Sequence, residues 1–147
     1  MPTQEKQQSS QPVRDFEPYV ISKGEEYMSE PMRFHFIGIL NKWKLQLMQE
    51  VDRTMDHMKD EAANFPDPAD RASQEEEFNL ELRARDRERK LIKKIDKTLQ
   101  LIEAEEYGWC ESCGVEIGIR RLEARPTADL CIDCKTLAEI KEKQVGK

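Results

Sequence analysis

From Met32 onward the apolar residues fall at steps of three and four: Phe36, Leu40, Trp43, Leu47, Val51, Met55, Met58 and Ala62. That rhythm draws one apolar stripe down a single face of an α-helix. Ser29-Glu30-Pro31 suits its start. The stripe stops at Asn64-Phe65-Pro66-Asp67-Pro68, where two prolines forbid helix continuation and the chain must turn. A second stripe runs through Phe78, Leu82, Ile92, Ile95, Leu99 and Ile102 and ends at Gly108, a residue suited to a left-handed helix cap. Two helices of roughly thirty residues joined by a short link predict an antiparallel coiled-coil hairpin roughly 45 Å long.

The returning stripe has a polar gap. If the seam keeps its seven-residue spacing, Arg85 and Arg89 occupy positions where apolar knobs are due. Glu50, Asp52 and Asp56 of the outgoing helix stand at about the facing level. An ion-pair layer that fixes the register and an exposed basic binding surface are both compatible with this pattern. Residues 1–31 hold Pro2, Pro12, Pro18 and Pro31, with Phe16, Tyr19 and Tyr27 scattered among polar residues and no sustained period. They read as a tail, flexible or partly docked through those aromatics.

Composition supports an extended helical shape. Of 147 residues, 37% are charged and only 37% hydrophobic, a balance that spreads surface rather than burying it. A net charge of −6 disfavours generic attraction to duplex DNA. The charge is polarised: an acidic stretch over 60–77 is followed by Arg83, Arg85, Arg87, Arg89, Lys90, Lys93, Lys94 and Lys97. No run approaches the ~18 apolar residues of a membrane span, and no secretion signal opens the chain, so a cytoplasmic location is expected.

Cys110-Glu-Ser-Cys113 and Cys131-Ile-Asp-Cys134 are two C-x-x-C pairs with seventeen residues between them. That spacing lets four thiolates meet one tetrahedral zinc ion, and Gly114 permits the tight knuckle after the first pair. With all four positions filled by thiolate, no site is left open for water or substrate. The ion is expected to be structural. Leu137, Ala138 and Ile140 suggest a short helix tied back by the metal against the hairpin's end. His35 and His57 lie far from the cysteines and read as ordinary helix residues.

The expected fold is therefore all-α. It comprises the tail (1–31), a hairpin over 32–107 with its tip at 64–71, a zinc finger over 108–134 and a C-terminal helix over 135–147. At the tip, Asp67 suits an N-cap, Pro68 a first helical residue and Asp70 the helix dipole. Two carboxylates at the end of a long thin hairpin equally suit approach to a cation inside another protein.

Four stretches carry a resemblance: Asn64-Phe65-Pro66-Asp67-Pro68, the run from Leu82 to Lys90, Tyr107-Gly-Trp-Cys-Glu-Ser-Cys-Gly114, and Ile119-Arg-Arg-Leu-Glu-Ala-Arg-Pro126. With these the chain resembles the DksA/TraR zinc-finger family of bacterial transcription factors from about Glu25 to Lys143. The resemblance implies a monomer that binds RNA polymerase directly, sends its coiled coil down the secondary channel and reads no DNA sequence. It implies that Asp67, Asp70 and Ala72 form an effector tip near the catalytic centre, lowering ribosomal RNA transcription and raising some biosynthetic promoters. It further implies that the alarmone ppGpp acts as co-regulator, held between factor and polymerase, with Arg87, Leu91, Lys94, Arg125 and Lys135 at the matching positions. Cations there suit a nucleotide bearing two pyrophosphates.

Two rivals remain at this stage. A GATA-like DNA-binding finger shares the cysteine spacing, yet between the pairs Arg120, Arg121 and Arg125 are offset by Glu116, Glu123 and Asp129. A transcript-cleavage factor of the Gre type also presents acids from a coiled-coil tip. A dimerising coiled coil is disfavoured, because the proline turn satisfies the seam within one chain.

Overall fold

The computed structural model describes residues 11–62 and 68–145, and only the backbone of residues 61, 62 and 68–71. Four helices follow in order: α1 (Glu30–Ala62), α2 (Pro68–Glu103), α3 (Ile119–Ala124) and α4 (Ile132–Val145). Among the described residues there is no strand, only an isolated antiparallel bridge between Trp109 and Glu116. The fold is all-α.

The α1 stripe faces α2. Phe36, Leu40, Trp43, Leu47, Val51 and Met58 are buried, and Met55 is half-buried. Full burial of each such side chain stabilises by roughly 1.5–3 kcal/mol. On α2, Ile95 and Ile102 are buried and Phe78, Ile92 and Leu99 half-buried, but Leu82 is exposed. The seam counts back from Ile102 by alternating threes and fours, through Leu99, Ile95, Ile92, Glu88 and Arg85, past the exposed Glu81, to Phe78 and the buried Gln74. Leu82 and Arg89 each stand one position off that rhythm and face outward.

The polar gap is therefore a layer of Arg85 and Glu88, with Arg89 outside it. The Arg85 guanidinium lies 2.9 Å from Glu88 and 3.8 Å from Glu50 across the hairpin. Arg89 lies 3.6 Å from Asp86 at the surface. Asp52 and Asp56 are exposed.

Helix α2 stops five residues before Gly108. Glu105 takes the left-handed conformation (φ 59°), its N–H bonds Ile102 O at 3.1 Å, and Glu106 N–H bonds Leu101 O at 2.9 Å. Those two bonds make a Schellman cap with Glu105 in the place usually held by glycine. Gly108 serves a different need. Its φ is 103°, and a Cβ there would come within 2.9 Å of Met28 Cγ and 3.1 Å of Tyr27 Oη.

The N-terminal segment closes the globular end. Val13 and Met28 are buried in the same core as Phe36 and Leu122, and Phe16, Tyr19 and Tyr27 pack against it. The Tyr27 hydroxyl donates to Gly108 O at 2.8 Å and accepts the Gly118 N–H at 3.1 Å. Tyr107, buried beside Phe36 with ring centroids 5.6 Å apart, donates to Pro126 O at 2.7 Å. Helix α4 begins earlier than the sequence suggests, so that Cys134 lies in its first turn. Leu137 and Ile140 are exposed and do not pack on the hairpin, so the helix is anchored through its cysteines.

Candidate metal centre and adjoining cation cavity

Each cysteine pair sits on a backbone built to hold sulfur. After the first pair, Cys110 N–H bonds Val115 O at 2.8 Å and Gly114 N–H bonds Cys110 O at 2.9 Å, closing a knuckle in which Gly114 has φ 79°. In the second pair, α4 starts between the cysteines and the Cys134 N–H points at Cys131 Sγ from 3.5 Å. Glu111 N–H to Asp129 O at 2.8 Å joins the two loops.

The four Sγ atoms lie within 4.8 Å of one another, and Cys113 and Cys131 are 3.7 Å apart. A tetrahedral zinc ion with Zn–S bonds near 2.3 Å needs sulfurs about 3.8 Å apart. The donor set fits zinc in number, chemistry and spacing. Burial raises the Cys110 thiol, but the N–H groups of Cys113, Cys131 and Ser112 outweigh it and bring it down to about 6. Cys131, Cys113 and Cys110 in turn push Cys134 up to about 12. Without metal, then, a thiolate is shared among neighbouring thiols. A divalent cation supplies the charge that ionises the whole set.

Beside this centre is a cavity of about 380 Å³ whose lining includes Arg14, Lys94, Arg121, Arg125 and Lys135. The family resemblance names Lys94, Arg125 and Lys135, and these three line one cavity. Arg87 and Leu91 do not line it; at helical spacing from Lys94 they continue the same face of α2 toward the tip. Arg121 is partly engaged, its Nε donating to Leu130 O at 3.1 Å. Asp129 is the acid of the lining.

The tip is only partly described. Asp67 lies outside the described residues, Asp70 falls in the first turn of α2, which opens at Pro68, and Ala72 is exposed.

Sequence reading missed a polar hub beneath the zinc end. Buried Glu123 accepts the Tyr19 N–H at 2.8 Å, contacts His35 Nε2 at 2.8 Å and pairs with Arg120 at 2.5 Å. Arg120 also donates to Tyr19 O at 2.9 Å. Phe16 and Tyr19 pack their rings on His35, with centroids 5.7 and 5.4 Å away. His35 is thus more than an ordinary helix residue. Its partners are 88 and 16 positions distant and left no periodic signal in the sequence.

The DnaK suppressor protein DksA N-terminal domain matches residues 32–102, and the prokaryotic dksA/traR C4-type zinc finger matches residues 105–139. Over 134 residues the chain is 74% identical to the RNA polymerase-binding transcription factor DksA of Escherichia coli K12, covering 91% of this chain and 89% of that one. The chain belongs to the DksA family. The DksA of Haemophilus influenzae is 66% identical over 129 residues, covering 88% of this chain and 89% of its own. Among solved structures, transcription factor DksA2 from Pseudomonas aeruginosa superposes with a TM-score of 0.75 at 36% identity, covering 82% of this chain and 95% of that one. Both halves of the hairpin and the four-cysteine end therefore belong to one DksA architecture. No helix among the described residues is long and apolar enough to cross a membrane.

Proposed function

We propose that this protein is a cytoplasmic transcription factor that binds RNA polymerase directly, as a monomer, and controls initiation without reading a DNA sequence. The observation that carries this reading is the 74% identity, across 91% of the chain, with a relative named for polymerase binding. The geometry is compatible. An α1 of 33 residues extends about 50 Å, long and thin enough to enter a channel, and the zinc end offers a docking platform. The seam is satisfied within one chain, which favours a monomer.

In this reading the hairpin enters the secondary channel and Asp67, Asp70 and Ala72 act near the catalytic centre. Lys94, Arg125 and Lys135, extended by Arg87 and Leu91, supply one half of a ppGpp site that polymerase completes. Zinc, held by Cys110, Cys113, Cys131 and Cys134, is structural. Between the cysteine pairs Arg120, Arg121 and Arg125 are matched in number by Glu116, Glu123 and Asp129, and Arg120 is tied up by Glu123, which argues against a GATA-like DNA binder. Transcript cleavage of the Gre type is not expected, and backtracked complexes should yield no strong RNA shortening.

The test is initiation from a ribosomal promoter by purified polymerase, with and without ppGpp, comparing the protein with Asp67→Asn/Asp70→Asn after matching polymerase occupancy. Inhibition by the native protein, enhanced by ppGpp and lost in the double variant, supports the tip as effector. Equal inhibition by both reduces those aspartates to helix caps. Absence of polymerase binding overturns the reading.

A further inference from the structure

The cation cavity contains a group that belongs to neither the hairpin nor the zinc finger. Arg14, from the N-terminal segment, lines it together with Lys94, Arg125 and Lys135. The segment is pinned on both sides of this residue. Val13 is buried in the core, and Lys42 Nζ holds Asp15 through its carboxylate at 2.6 Å and its carbonyl oxygen at 3.3 Å. Two and five residues further on, Phe16 and Tyr19 are packed against His35. An exposed arginine on a free strand would sample many positions, whereas this one is delivered to the cavity by anchors on adjacent residues.

The charge balance is what calls for a ligand. Among the described residues, none of Arg14, Lys94, Arg125 and Lys135 pairs with a carboxylate, although the chain carries 30 acidic side chains and a net charge of −6. Four unpaired cations converge on one cavity whose lining contributes only Asp129 as an acid. Like charges so arranged repel one another and gain most from a compact polyanion. A planar guanidinium adds bidentate recognition of a phosphate, which the two lysines cannot supply. The volume of about 380 Å³ is near the lower end for ligand pockets, enough for the phosphate-bearing part of a nucleotide.

We infer that Arg14 is a phosphate-binding residue of this cavity, contacting a pyrophosphate group of the guanine nucleotide from the N-terminal side while Lys94, Arg125 and Lys135 hold it from α2 and the zinc end. The inference rests on the ppGpp reading proposed above. It makes the segment before α1 a functional part of the nucleotide site, with Val13 and the Lys42–Asp15 pair as its positioning elements.

The experiment titrates ppGpp against the full-length protein bound to polymerase, reading the lifetime of a ribosomal promoter complex, for the native protein, Arg14→Ala and Arg14→Lys. Polymerase affinity without ppGpp is measured in parallel. Losing one charge-assisted contact is expected to raise the half-effective ppGpp concentration about tenfold in Arg14→Ala. Arg14→Lys should recover part of that loss, and affinity for polymerase without nucleotide should not change. A native protein that responds to ppGpp beside an Arg14→Ala variant that responds at the same concentration overturns the inference and leaves the ppGpp reading standing. An Arg14→Ala variant weakened equally without ppGpp also overturns it, making Arg14 a polymerase contact. A native protein indifferent to ppGpp overturns the underlying reading itself.

Discussion

His35 Nε2 lies 2.8 Å from Glu123 Oε2, joining the second turn of α1 to the end of α3 across 88 positions of sequence. An ionised carboxylate only accepts, so the imidazole donates from Nε2. Burial raises the Glu123 carboxyl, but the Tyr19 N–H, His35 and Arg120 together outweigh it and hold the group below its ordinary value of 4.5. A carboxylate depressed on folding contributes stability that is present above its unfolded pKa and lost as pH falls through the lower folded value. Glu123→Gln should therefore be less stable than the native protein at pH 7, and the gap should narrow as the pH falls through 4. Urea unfolding followed at both pH values checks this. Because Glu123 also receives the Tyr19 N–H, the variant should be cut faster by protease within residues 11–29.

The left-handed cap at Glu105 carries a cost that its side chain does not offset. A non-glycine residue at φ 59° is disfavoured by roughly 1 kcal/mol, and Arg33, at 3.2 Å, meets the glutamate where it is 73% exposed. Glu105→Gly is expected to stabilise the protein by about 0.5–1 kcal/mol while keeping both Schellman bonds. A rise in thermal midpoint with unchanged helical circular dichroism supports the cap assignment. A fall would mean that the Arg33 pair outweighs the backbone strain.

The same residue shows where sequence legibility ends. The hairpin was readable because Phe36, Leu40, Trp43 and Leu47 repeat at helical spacing, and the metal centre because two C-x-x-C pairs satisfy a stringent geometric rule. The plain rule that glycine ends helices misplaces the cap, because Gly108 answers to the crowding of Met28 and Tyr27, a contact between distant segments. Leu82 is apolar and so reads as a seam residue, yet the heptad rhythm set by Ile92, Ile95, Leu99 and Ile102 passes it by. Likewise Arg14 and Glu123 acquire their roles from tertiary partners, and a single residue amid irregular chain leaves no periodicity to read. Local pattern predicts elements; it does not predict which lone polar group a second element will bring beside them.

Metal removal should loosen one end of the molecule and spare the other. Ile117, Ile119, Leu122, Cys110 and Cys131 belong to the same buried cluster as Phe36 and Tyr107, so chelation is expected to weaken that cluster while most of α1–α2 remains helical. Circular dichroism should lose a minor part of its helical signal, and tryptophan emission should change more, because Trp43 and Trp109 both lie at the affected end. Zinc binding to the metal-free protein at pH 7.5 should release fewer than four protons, because the Cys110 thiol, at about 6, is already ionised. Calorimetry in buffers of different ionisation enthalpy measures that number. As the pH falls below 6 the fourth proton must also be displaced, and apparent zinc affinity should drop more steeply.

The Arg85–Glu88 layer tests whether polar groups in the hairpin seam serve stability or register. Their side chains are 11% and 5% exposed, so removing one leaves the other in a dry seam without its 2.9 Å partner, and Glu50, at 40% exposure and 3.8 Å from Arg85, compensates only in part. Breaking a buried pair from one side typically costs about 3–5 kcal/mol, whereas replacing both partners by apolar groups is often neutral or stabilising. Arg85→Leu is therefore expected to lower the urea midpoint clearly, and Arg85→Leu/Glu88→Leu to return to the native value or above it. If the layer fixes register, the double variant will be stable yet heterogeneous, with disulfides between cysteines engineered across α1 and α2 forming in more than one pairing. A stable double variant with a single cross-link pairing would instead assign register to the proline turn and the Phe36-to-Leu47 packing, leaving the ion pair to be explained by what it offers a partner.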